Sequence, residues 1–172
     1  MDLDLPDRQY EFMRLLEEHK TLIYKVCRLY CPEPADRQDL FQEIIFQLWK
    51  GFPGFRGEAK FGTWLYRVAL NTAISAARKK KAGRVAPPWL EASESISWNK
   101  PQAQWNYLEK AVAQLGRVEK SILMLYLEDR TYEEMEEILG IPRATLRVKV
   151  NRIKEKLKKT WQLTSSNIFG DQ

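Results

Sequence analysis

Apolar residues recur along this chain at three- and four-residue steps and almost never in strict alternation, so the pattern is helical throughout. Phe12, Leu15, Leu16, Leu22, Ile23 and Val26 predict a first helix. Pro32 and Pro34 stop it, because proline lacks the amide donor and its ring clashes with the turn before it. A second helix is predicted from near Asp36 to Lys50, where Leu40, Phe41, Ile44, Ile45 and Leu48 make a wide apolar face. Gly51, Pro53, Gly54 and Gly57 then break the pattern into a loop. A third helix is predicted from near Lys60 to about Lys81, with Phe61, Leu65, Val68, Thr72 and Ala76 turned inward.

Residues 83–103 keep neither a helical nor a strand period. Gly83, Pro87, Pro88, Pro101 and a Ser-Glu stretch mark them as a linker, although Trp89 and Trp98 argue against a fully solvated tether. Beyond it, helices are predicted over Asn106–Leu115 and Val118–Leu127. Thr131-Tyr132-Glu133-Glu134 then reads as a capping box, in which Thr131 and Glu134 satisfy the first free amides of a short helix ending at Leu139-Gly140. A last helix begins near Pro142 and runs past Lys159, with Leu146, Val150, Ile153 and Leu157 as its buried stripe. Two helices around a tight glycine-containing turn match a helix-turn-helix. The tail, Thr160 to Gln172, is expected to fray. The predicted fold is all-α: two small helical domains, residues 1–82 and 104–172, joined by a flexible linker over 83–103.

Composition changes this picture little. Hydrophobic residues make up 44% and charged residues 30%, a globular balance. No stretch approaches the roughly 18 apolar residues of a membrane span. The opening MDLDLPDRQYEF lacks the basic-then-apolar order of a secretion signal, which places the chain in the cytoplasm. Cys27 and Cys31 cannot build a disulfide framework. With His19 they offer three metal ligands at a spacing unlike the common zinc patterns, so neither metal nor cofactor is expected. Glu133 and Glu136 form an acid pair, but no glycine-rich phosphate loop, nucleophile elbow or HExxH accompanies it, which argues against an enzyme.

Lys plus Arg number 28 against 23 Asp plus Glu, a net +5 whose placement matters more than its size. The last helix carries Arg143, Arg147, Lys149, Arg152, Lys154, Lys156, Lys158 and Lys159 against Glu155 alone. The helix before it is the reverse, with Glu128, Asp129, Glu133, Glu134, Glu136 and Glu137 in or near it. Arg143, Arg147 and Asn151 share a flank beside Ala144 and Val148. Arginine pairs bidentately with guanine, asparagine with adenine, and small apolar groups touch thymine methyls. Lys149, Arg152, Lys154 and Lys156 are better placed for phosphates. On the third helix Lys60, Arg67, Asn71, Ile74 and Arg78 make another stripe, near Phe52, Phe55, Phe61, Trp64 and Tyr66. Cations beside aromatic rings suit opened DNA, whose bases stack. On the second helix Phe46 sits among Asp39, Gln42 and Glu43, an apolar centre with a polar rim that suits a protein partner.

Together these motifs resemble a family. Asp39-Leu40-Phe41-Gln42-Glu43-Ile44 with Leu48-Trp49 resembles the polymerase-binding helix of bacterial sigma factors. The run from Phe55-Arg56-Gly57-Glu58 to Ala69-Leu70-Asn71 resembles their melting loop and minus-ten helix. Thr131-Tyr132-Glu133-Glu134 through Gly140-Ile141-Pro142-Arg143-Ala144-Thr145-Leu146-Arg147 resembles their minus-thirty-five helix-turn-helix. The resemblance covers nearly all of residues 8–159. Two domains with a short linker and no domain between are similar to the extracytoplasmic-function class.

The resemblance implies a factor that binds core RNA polymerase, recognises promoter DNA as duplex and as melted non-template strand, and promotes opening. Asp39, Gln42, Glu43, Phe46 and Trp49 would meet the polymerase. Phe55, Arg56, Lys60, Phe61, Trp64, Arg67, Asn71 and Arg78 would meet the minus-ten element. Arg143, Ala144, Thr145, Arg147, Val148, Lys149, Asn151 and Arg152 would meet the minus-thirty-five element. An anti-sigma factor is implied as regulator. The sequence departs from the family at Ile45, where an aromatic is frequent, at Ser75, where Asp is common, and at Pro142, where a serine cap is usual. A stand-alone helix-turn-helix regulator is the alternative; it explains the last piece and leaves the first without a role.

Overall fold

The computed structural model describes residues 5–83 and 110–169, with side chains over 7–79 and 110–160. The predicted linker lies outside the described residues apart from Gly83, and so does the start of the helix expected from Asn106; residues 110–113 are helical. All described regular elements are helices, as the spacing predicts, and the chain divides into two units that part after Val85.

The first unit holds α1 (Leu5–Tyr30), α2 (Pro34–Gly51), a short 3-10 turn (Phe52–Gly54) and α3 (Phe61–Gly83). Pro34 opens α2, where a missing amide costs nothing because the first turn has no acceptor for it. Arg37 fixes the α1–α2 corner: its Nε donates to the Cys31 carbonyl at 2.7 Å and its Nη2 to the Pro32 carbonyl. Phe12, Ile23 and Val26 of α1, Leu40, Ile44 and Leu48 of α2, and Leu65 and Leu70 of α3 are buried together.

The inward face of α3 differs from the predicted one. Phe61 and Leu65 are buried as expected, but Val68, Thr72 and Ala76 are half-buried, and Tyr66, Ala69, Leu70 and Ala73 take the interior instead. The cause is packing: α3 lies against both α1 and α2, so it buries two adjacent rows of side chains rather than one stripe. The Thr72 hydroxyl is satisfied locally, donating to the Val68 carbonyl at 2.8 Å.

The second unit holds α4 (Arg117–Leu127), α5 (Tyr132–Leu139) and α6 (Arg143–Phe169), with α4 and α5 both packed on α6. The capping box is formed as read. The Glu134 amide donates to Thr131 Oγ1 at 3.2 Å, and the Thr131 amide donates to Glu134 Oε2 at 3.0 Å. Gly140 ends α5 with φ 68°, a left-handed conformation that glycine adopts without steric cost. At the start of α4 the Gly116 amide donates to Glu119 Oε2 at 2.9 Å, the half of a capping box available to a residue without a hydroxyl. Ile122, Leu125, Met135, Ile138, Leu146, Val150 and Ile153 fill the core. Helix α6 continues to Phe169 instead of fraying from Thr160. The first helix breaker after Pro142 is Gly170, and the Thr160 hydroxyl bonds back to the Lys156 carbonyl at 3.0 Å within the helix.

Candidate polymerase and DNA interfaces

A helix that buries one face presents the other at the same periodicity. On α2, burial of Leu40, Ile44 and Leu48 turns Asp39, Gln42, Glu43, Phe46 and Trp49 outward as one strip. Phe46 is 57% exposed and Trp49 39%. The Trp49 ring meets Phe12 edge-on at 5.1 Å, which holds it in place while one side stays open. Glu43 accepts from Gln47 Nε2 at 2.8 Å.

After α2 the chain packs Phe52, Phe55, Phe61 and Trp64 into an aromatic cluster, with Phe55–Trp64, Phe61–Trp64 and Phe55–Phe61 centroids at 5.1, 5.4 and 5.6 Å. Phe61 is buried, so within the cluster it supports the loop from beneath; Phe55 and Trp64 are half-buried. His19, one of the three metal-ligand candidates, packs edge-on against Phe61 at 5.3 Å. Its Nδ1 lies 2.9 Å from the Leu15 carbonyl, which can only accept, so this nitrogen carries the proton. A Cβ on Gly62 would come within 3.3 Å of the same ring, so glycine is what lets α3 start this close to α1. Among the described residues no group of three or more His, Cys, Asp or Glu is placed to hold a metal. Burial pushes the Cys27 thiol up to about 12, with Cys31 adding a smaller effect in the same direction, so Cys27 is inert at neutral pH. Arg56, Lys60, Arg67, Asn71 and Arg78 are all exposed, while Ile74 of the predicted stripe is half-buried.

In the second unit Arg143, Ala144, Thr145, Arg147, Val148, Asn151 and Arg152 are exposed and Lys149 is half-buried. The acidic and basic helices close on each other through specific pairs. Arg143 Nη1 lies 2.8 Å from Glu133 Oε1, and its Nε 3.0 Å from Glu136 Oε2. The hydrogen bond from Arg143 holds the Glu133 carboxyl below its ordinary range, and the same contact raises the guanidinium. The Arg147 guanidinium carbon sits 5.5 Å from the centroid of the Tyr132 ring.

Two lysines expected at phosphates also make contacts within the unit. Lys154 donates to the Tyr126 hydroxyl at 2.7 Å and lies 4.3 Å from that ring's centroid, and Lys156 pairs with Glu119 at 2.5 Å. Glu119 thus ties the start of α4 to α6. Its carboxyl is held below the usual range, first by the Lys156 hydrogen bond and less by the Gly116 amide, against burial. A depressed native carboxylate stabilises the fold above its unfolded value, about 4.3, and the gain is lost as pH falls through the native value. Glu119→Gln is therefore expected to cost about 0.5–1 kcal/mol at pH 7, discounted because Lys156 is exposed, and less at pH 3. Thermal melts of both proteins at the two pH values check this; a gap independent of pH would show that the charge contributes nothing.

The sigma-70 region 2 family model matches residues 15–83 and the sigma-70 region 4 model residues 105–157. This chain belongs to the sigma-70 family. Its relatives place it in the extracytoplasmic-function class. It is 27% identical over 166 residues to the ECF RNA polymerase sigma factor SigW of Bacillus subtilis, covering 88% of this chain and 89% of that protein. It is 26% identical over 165 residues to the ECF RNA polymerase sigma-E factor of Escherichia coli, covering 86% and 84%. The fold is shared with the sigma factor RpoE of Bartonella quintana, solved with the anti-sigma factor NepR, at a TM-score of 0.72 and 17% identity over 88% of this chain and 97% of that one. It is shared also with CnrH, solved with the cytosolic domain of CnrY, at a TM-score of 0.67 and 17% identity over 90% of each chain. This sigma factor binds core RNA polymerase, recognises minus-ten and minus-thirty-five promoter elements and promotes DNA opening. The stand-alone regulator is set aside, because the region 2 match accounts for the unit which that reading leaves without a role. Among the described residues no helix is long and apolar enough to cross a membrane.

Proposed function

We propose that the two units divide initiation between them. Residues 1–82 hold core polymerase and the minus-ten element, 83–103 link, and 104–172 read the minus-thirty-five element. In the first unit Asp39, Gln42, Glu43, Phe46 and Trp49 dock on polymerase. Arg56, Lys60, Arg67 and Arg78 follow the opened strand's backbone, while Asn71 offers hydrogen bonds to a base edge. Phe55 and Trp64 offer stacking surfaces for unpaired bases, with Phe61 beneath them. Unstacking a base costs a few kcal/mol, which stacking and base-edge bonds on this scale recover. In the second unit Arg143, Ala144, Thr145, Arg147, Val148 and Asn151 face base edges, and Lys149 and Arg152 face phosphates. The sigma factor works in the cytoplasm, needs no cofactor and carries out no reaction of its own. An anti-sigma factor restrains it, as the neighbours solved with NepR and with the cytosolic domain of CnrY suggest.

The observation that supports this most is the exposed flank from Arg143 to Arg152 beside the fully buried Leu146, Val150 and Ile153. Burial of that stripe fixes the flank's orientation, and its residue types match base-edge chemistry. The test is Arg147→Ala, after run-off transcription with core polymerase and a promoter library has selected a matched element. Loss of about 1–3 kcal/mol on the matched minus-thirty-five element, and much less on a scrambled one, is expected. Equal losses on both would reduce Arg147 to a phosphate contact.

A further inference from the structure

Arg143 opens the helix proposed to read DNA, yet two carboxylates of α5 already hold it. Glu133 takes an Nη1 hydrogen at 2.8 Å and Glu136 the Nε hydrogen at 3.0 Å. The side chains of Arg143, Glu133 and Glu136 are 53%, 63% and 42% exposed. Ion pairs this open contribute little to folding, so stability does not account for a pair of acids on one cation. Nor does affinity for DNA account for them, since two carboxylates beside a phosphate backbone repel it. What they do fix is geometry. A guanidinium carries five N–H donors in a rigid fork, and these contacts take two, leaving Nη2 whole and one Nη1 hydrogen free at the outer end.

The arrangement extends along the helix. Glu133 and Glu136 are three residues apart and share a face of α5, and Arg143 and Arg147 are four apart on one flank of α6. The residue before Glu133 is Tyr132, whose ring lies under the Arg147 guanidinium at 5.5 Å. One edge of α5 thus supports both arginines.

The structure assigns Glu133 and Glu136 as positioning residues that hold Arg143 in one orientation for a base edge, with Tyr132 serving Arg147 in the same way. The assignment rests on the reading of α6 as the minus-thirty-five reader. Such an arrangement exchanges some affinity for discrimination: a side chain fixed before contact loses less freedom on the right base and adapts less well to a wrong one.

The experiment uses holoenzyme and measures binding to a selected promoter and to single base-pair substitutions across its minus-thirty-five element. Arg143→Ala locates the base pair that Arg143 reads, and Arg147→Ala locates its own. The double variant Glu133→Gln/Glu136→Gln is then expected to lose roughly 3–10-fold of discrimination at the Arg143 base pair, with matched affinity little changed or higher. Discrimination at the Arg147 base pair should stay as it is, and Tyr132→Leu should lower it there instead. Circular dichroism melts establish that the variants remain folded, and a general loss of structure would weaken both positions alike. A uniform rise in affinity for every sequence, with discrimination intact, would overturn the assignment and make the acids a charge screen. If Arg143→Ala leaves discrimination unchanged, the reading of α6 fails and the assignment falls with it. If Arg143→Ala lowers discrimination and the glutamine pair does not, the assignment alone fails.

Discussion

Leu146→Ala is expected to destabilise the second unit by about 2–5 kcal/mol, the range for truncating a buried leucine where the cavity cannot collapse. Leu146 is 0% exposed, and α4 and α5 both pack on the helix that carries it. A helical unit this small buries a modest share of its surface, so such a loss consumes most of its folding free energy. The amides of α4, α5 and α6 should therefore exchange with solvent far faster in the variant, followed in the full chain by hydrogen exchange with mass spectrometry. Those of α1, α2 and α3 should keep their protection, because Leu146 belongs to the other unit. Leu146→Met conserves volume and should cost less than about 1.5 kcal/mol. Unchanged protection of α5 and α6 in the alanine variant would mean that this core is not what holds the reading helix. The same variant separates failure to fold from failure to read, since Arg147→Ala removes an exposed side chain and should leave exchange unaltered.

The helices and their stops were legible in the sequence because they depend on local chemistry. Thr131 and Glu134 cap α5 within a single turn, Gly140 ends it, and Leu146, Val150 and Ile153 follow the helical repeat into the core. The proposed α2 surface was legible for the same reason, since the burial of Leu40, Ile44 and Leu48 sets what faces outward. What the sequence did not reveal depends on neighbours distant along the chain. The inward rows of α3 follow from contact with two helices at once, which a single-helix pattern does not contain. His19 meets Phe61 and Gly62 only after α1 and α3 pack. The opposite charges of α5 and α6 were plain, but that Arg143 would reach Glu133 and Glu136 depends on the angle set by the Gly140 turn. Nor does anything local mark Tyr126 and Glu119 as the partners that Lys154 and Lys156 meet within the unit. The continuation of α6 past Thr160 follows from the absence of a breaker before Gly170, a local signal that outweighs the tendency of terminal turns to fray.

Phe46→Ala is expected to weaken binding to core polymerase by about 2 kcal/mol or more, roughly 30-fold, while changing folding stability by no more than about 0.5 kcal/mol. The two effects separate because Phe46 is 57% exposed and its removal leaves no cavity. A lone exposed aromatic carries no such expectation, since single apolar residues are common on surfaces. Phe46 is not alone: Trp49 lies three residues on and Asp39, Gln42 and Glu43 complete the strip at helical spacing. An aromatic centre ringed by polar side chains is the arrangement in which burial excludes water from the surrounding hydrogen bonds, so the central contact carries most of the energy. Glu43→Lys acts at the rim, and its effect should appear mainly as slower association that weakens with added salt. Titrating each fluorescently labelled variant with core polymerase at two salt concentrations, beside thermal melts, measures both quantities. Wild-type affinity for both variants would remove this face of α2 from the interface, and a lowered melting temperature for Phe46→Ala would mean that the ring packs within the fold.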